Sequence, residues 1–134
     1  SEEWIHVLAP AEVSAIEDLV ARLRDSGRAH TEITRAEAPL GALEPAVGAW
    51  RETLARGRGF LLVRGFPIER LGVEGAMLGY WAIGLHLGTP VPQNLAGELL
   101  TDVRDTGADP GDPSTRLYRT RAEQDFHTDG ADVI

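Results

Sequence analysis

Phe126-His127-Thr128-Asp129-Gly130-Ala131-Asp132 is the most informative stretch of the chain. It lies in Arg116 to Ile134, a segment that reads as another strand or two. Side chains alternate along a strand, so positions i and i+2 share a face. His127 and Asp129 then point the same way and Thr128 points opposite. An imidazole nitrogen beside a carboxylate oxygen makes two-thirds of the facial triad, two His and one carboxylate, that holds non-haem Fe(II) with open coordination positions. Taken alone the tripeptide is weak. Four His and 21 acidic residues in 134 positions generate roughly 0.6 such matches by accident, and a surface His–Asp hydrogen bond is the plainer reading.

Working back from the motif, the chain reads as α+β. Tyr118-Arg119-Thr120 precedes it as strand, after an exposed loop from Asp105 to Ser114 that is rich in Asp, Gly and Pro. Glu98 to Arg104 reads as a strand, and Thr89 to Asn94, with two prolines, as loop. Val73 to Leu87 is apolar nearly all round and predicts a buried helix, with Gly75, Gly79 and Gly84 admitting close backbone neighbours. Gly59 to Gly65 encloses Phe60-Leu61-Leu62-Val63, an apolar run that fits a strand covered on both faces. Pro45 opens a helix that carries Val47, Trp50 and Leu54 on one face and stops at Gly57. Arg28 to Leu43 reads as loop. Pro10 sits where a helix tolerates a missing N–H; Val13, Ile16, Leu19, Val20 and Leu23 follow at helical spacing, and Gly27 stops that helix. Trp4 to Leu8 reads as a short strand.

Composition removes several function classes. Thirteen basic and 21 acidic residues leave a net charge of −8, against the basic face that a nucleic-acid backbone or an anionic membrane demands. All the basic residues are Arg, which with abundant Ala and Gly points to GC-rich coding. There is no Cys, which excludes disulfides, thiolate zinc sites and Cys nucleophiles; a cytoplasmic location is the expectation. The most apolar run, Ala76 to Gly88, is too short for the roughly 20 residues a membrane span needs. The first residue is not Met, and the last three, Asp132-Val133-Ile134, read as the opening of a strand. The expectation is a piece of a longer protein, one partial domain over 1–134, helical over 1–57 and with its sheet core beginning at 58.

The order and spacing of Gly59-Phe60-Leu61-Leu62-Val63-Arg64-Gly65-Phe66-Pro67, the helix ending Gly84-Leu85-His86-Leu87-Gly88-Thr89-Pro90, Gly97 to Asp105, and Phe126-His127-Thr128-Asp129 resembles the taurine dioxygenase-like (TauD/TfdA-type) family of Fe(II)- and 2-oxoglutarate-dependent dioxygenases. The resemblance covers residues 57–134 well and the N-terminal helices loosely. It implies a double-stranded β-helix, or jelly roll, incomplete at its C-terminus in this chain. It implies His127 and Asp129 as metal ligands and catalytic residues, with Fe(II) as cofactor and 2-oxoglutarate as cosubstrate. A second His ligand and the Arg that pairs with the cosubstrate's distal carboxylate come late in such chains and are not among these residues, so activity needs the complete chain. The implied reaction oxidises a small organic molecule with O2, typically by hydroxylation, releasing succinate and CO2. A carboxylate ligand at Asp129 argues against halogenation, where a halide takes that position.

His86, Gln93, Asn94, Tyr118 and Thr120 are the substrate-pocket candidates; each has a bland counterpart as a capped helix end, loop polarity or strand surface. Arg64 reads as a structural ion pair, Asp102 and Asp105 as turn residues, and Trp50 and Trp81 as core. The competing function is a non-catalytic α+β binding or assembly module with an incidental His-x-Asp. A downstream His followed within a dozen or so residues by Arg would favour the enzyme. No nucleic-acid or membrane partner is expected, a homo-oligomer is compatible with the sequence, and the substrate's identity is open.

Overall fold

Pro10 starts the first helix as its sequence requires. In the computed structural model, which describes residues 4–101, 103–113, 115 and 119–123, helix α1 runs Pro10–Asp25. Its first turn is closed by Glu12, whose carboxylate accepts the backbone N–H of Ala9 at 2.7 Å. This is half of a capping box, because Ala9 has no oxygen with which to return the bond. Gly27, at φ 65°, lets the chain leave the helix. One face of α1 supplies Ile16, Leu19, Val20 and Leu23 to the core, and Ile16 and Val20 are fully buried. Helix α2 is Glu44–Arg56, with Val47 and Trp50 buried. Helix α3 is Ile68–Leu87 and packs on both.

The described residues divide into two compact units, Ser1–Pro90 and Val91–Ile134. The first has an α+β arrangement of three α-helices and a two-stranded parallel sheet, strand β1 (Ile5–Val7) beside β2 (Leu62–Arg64). Their register is Ile5 opposite Leu62, His6 opposite Val63 and Val7 opposite Arg64. His6 turns towards the helices, meeting Glu12 of α1 and Trp50 of α2. The other face carries Val7 and Leu62, 67% and 39% exposed. The expectation that Leu61, Leu62 and Val63 are buried on both faces is therefore corrected. Among the described residues helices cover one side only, and Leu61 and Val63 are half-buried.

Helix α3 departs from its reading in three ways. It begins five residues earlier than Val73, with a single turn that breaks at Gly72 (φ 66°, ψ 177°). It is not buried all round: Leu71, Leu78, Trp81, Ala82 and Ile83 face inward, while Val73 and Tyr80 are 80% and 62% exposed. Of the three glycines expected to admit close backbone neighbours, two have close neighbours, and these are side chains. A Cβ at Gly79 would stand 3.1 Å from the Phe66 ring and 3.2 Å from Val20, and one at Gly75 would meet the Arg24 guanidinium, which donates to the Leu71 carbonyl at the helix break. None of the described residues lies within 4 Å of a Cβ at Gly84. The two backbone states give opposite expectations for alanine. Gly72→Ala forces a side chain into a conformation nearly reserved for glycine and should cost about 1–3 kcal/mol. Gly84→Ala removes backbone freedom from the unfolded chain at an open helical site and should gain about 0.5–1 kcal/mol. Urea midpoints of the two variants check this; the reverse order would contradict the break at Gly72.

Residues 28–43, read as loop, are a strap of three 3-10 turns at His30–Glu32, Arg35–Glu37 and Gly41–Leu43. Ile33, Ala38, Leu40 and Leu43, each no more than 3% exposed, make the strap part of the core. Two of its turns repeat the device seen at Glu12. Glu32 accepts the Ala29 N–H at 3.0 Å, and Glu37 accepts both the N–H and the hydroxyl of Thr34 at 2.9 and 2.7 Å. Those Thr34 bonds, the hydroxyl's first, and then the Arg28 guanidinium push the Glu37 carboxyl down to about 2. A carboxyl lowered on folding stabilises above its ordinary value of 4.5 and loses that contribution as pH falls towards 2. The stability gap between wild type and Glu37→Gln should therefore narrow across that window. Because the carboxylate is exposed, the gap is small and shrinks in salt. Acid unfolding of both proteins tests it, and a gap constant from pH 5 to 2 would contradict the assignment.

The second unit holds no helix or strand among its described residues. The strand expected over Glu98 to Arg104 is absent among the residues described there; Val103 is 78% exposed, and no described segment runs alongside to complete a ladder. The loop from Asp105 is exposed as expected through Pro113, except for half-buried Ala108. Its base is tied by the Thr106 N–H donating to the Arg119 carbonyl at 2.8 Å.

Candidate functional site

His127, Asp129 and Tyr118 lie outside the described residues, and so does the expected strand geometry of the metal motif. The other candidates have defined surroundings. His86 sits half-buried in the last turn of α3, and its Nε2 bonds the Ala38 carbonyl at 2.8 Å. A carbonyl only accepts, so Nε2 carries the proton and, in the neutral ring, Nδ1 is left as an acceptor. His86 thereby ties the end of α3 to the strap.

Gln93 and Asn94 share one turn. The Gln93 side-chain amide donates to the Val91 carbonyl at 2.9 Å, and its backbone N–H donates to the Glu98 carbonyl at 2.7 Å. Asn94 is more fully used. Its Oδ1 accepts from the N–H of Ala96 and of Glu98 at 3.0 and 3.2 Å, and its amide donates to the Glu98 carboxylate. Such a side chain stabilises its own loop first, as Asn does in turns. Thr120 is half-buried, and its hydroxyl accepts the Ala122 N–H at 3.0 Å. The structure brings Gln93 and Asn94 together around Glu98.

Sequence reasoning missed a polar cluster at the start of the chain. His6 Nε2 lies 3.0 Å from Glu12 Oε2, and its ring meets the Trp50 indole edge-on at 5.2 Å. Burial alone would raise the Glu12 carboxyl, but the Ala9 N–H and the His6 ring outweigh it and hold the group below its ordinary value. The signal in the sequence was Glu12 three residues after Ala9, the spacing of a helix-start acceptor. His30 meets Trp81 in the same way, ring centres 5.3 Å apart. An open groove of about 420 Å³ is lined by Leu8, Pro10, Val13, Ser14, Glu17 and Arg70, where Arg70 pairs with Glu17 at 3.0 Å. That pairing neutralises the groove's two charged groups.

None of this forms a metal centre. Among the described residues no three His, Asp or Glu side chains converge. His6 Nε2 bonds Glu12 and His86 Nε2 bonds the Ala38 carbonyl, whereas His30 makes an edge-on ring contact with Trp81. His127 and Asp129, an imidazole and a carboxylate, are donor types that suit Fe(II), and both lie outside the described residues. No helix among the described residues is long and apolar enough to cross a membrane.

No family model matches the chain. Among curated proteins it is similar to FR-33289 synthase of Streptomyces rubellomurinus, with 30% identity over 134 residues. That match takes in 99% of this chain and 40% of the synthase, so the chain spans less than half the length of the relative it matches.

Proposed function

We propose that this chain is the N-terminal part of a non-haem Fe(II)- and 2-oxoglutarate-dependent dioxygenase that hydroxylates a small organic molecule and releases succinate and CO2. One observation carries the reading: the similarity to a named synthase extends over 99% of the chain, and so across the His127-x-Asp129 motif.

In this reading residues 1–57 are the helical flank, and residues 58–134 begin a jelly roll whose later strands supply a second His and a carboxylate-binding Arg. His127, as neutral imidazole, and Asp129, ionised, would hold the metal on one face and leave the opposite positions open. The chemistry the metal supplies is the coupling of O2 reduction to decarboxylation of 2-oxoglutarate and oxidation of a substrate C–H bond. The protein's share is to keep those positions dry and orient the substrate. His86, Gln93, Asn94, Tyr118 and Thr120 are the pocket candidates, with Asn94 acting chiefly by shaping its loop. The proposed setting is the cytoplasm.

The test is succinate formation by the complete protein. With Fe(II), 2-oxoglutarate and O2 it should convert 2-oxoglutarate to succinate; a chelator should abolish this, and added Fe(II) should restore it. A complete protein that binds neither Fe(II) nor 2-oxoglutarate would be the non-catalytic module instead.

A further inference from the structure

We draw no further inference here: the strongest candidate, the exposed stripe of Val73 and Tyr80 along α3, is an apolar face, and nothing in the structure shows what covers it.

Discussion

Replacing His127 by Ala in the complete protein should reduce Fe(II)-dependent succinate formation more than about 100-fold, and Asp129→Ala should do the same. Loss of a group that merely supports a metal ligand costs about 10–100-fold in affinity or activity. Loss of the ligand itself removes an inner-sphere bond, so the effect should exceed that range. The first unit should keep its fold, because its buried apolar side chains run from Leu8 to Ile83. Circular dichroism separates the two outcomes. His86→Ala is the contrasting variant. It removes the bond to the Ala38 carbonyl, so it should loosen the strap and lower stability by about 0.5–1.5 kcal/mol while Fe(II) binding persists. Undiminished succinate in His127→Ala would return the motif to coincidence. Equal loss of iron by His86→Ala would mean that the ligand set had been drawn from the wrong histidines.

The boundaries that rest on local chemistry were legible. Pro10 and Gly27 bracket α1, because a missing N–H and a positive φ have few other uses; Gly57 stops α2 at a negative φ, where a Cβ would stand 2.8 Å from the Thr53 carbonyl oxygen. The strap was not legible. Ile33, Leu40 and Leu43 follow neither a two-residue nor a 3.6-residue period, and short 3-10 turns leave no periodic trace. What marked them was Thr34 followed by Glu37 at capping-box spacing, although the Thr34 hydroxyl donates to the Glu37 carboxylate and the Glu37 N–H goes to the Thr34 carbonyl. The apolar run at Phe60 to Val63 announced a strand, but hydrophobicity cannot say how many faces are covered; here it is one. The same holds for α3, where an even apolar composition concealed a buried side at Leu78 and Ala82 and an exposed one at Val73 and Tyr80. For the site, the sequence offered the chemistry of His127 and Asp129 but could not tell that Asn94 is spent on its own turn. That depends on backbone geometry, which two adjacent amide residues do not encode.

Trp81→Ala should destabilise the protein by about 3–5 kcal/mol, the usual cost of removing a large buried aromatic. The side chain is 5% exposed and meets Ile33 and His30 of the strap. Three losses coincide. Removing the indole's apolar area leaves a cavity that a close-packed interior closes only in part. Its Nε1–H no longer donates to the Ile33 carbonyl, a 3.3 Å bond that fastens the strap to α3, so a buried acceptor is left unpaired. The edge-on His30 ring loses its partner. Trp81→Phe divides these contributions: it keeps much of the ring volume and gives up only the hydrogen bond and part of the area, so it should cost less than half as much as the alanine variant. Tyr80, the neighbouring residue on the same helix, is 62% exposed, and Tyr80→Ala should stay within about 0.5 kcal/mol of wild type. Urea midpoints at a common m-value rank the three variants. If Trp81→Ala shifted the midpoint no further than Tyr80→Ala, α3 would not present this face to the core, and the packing of the strap against it would be wrong.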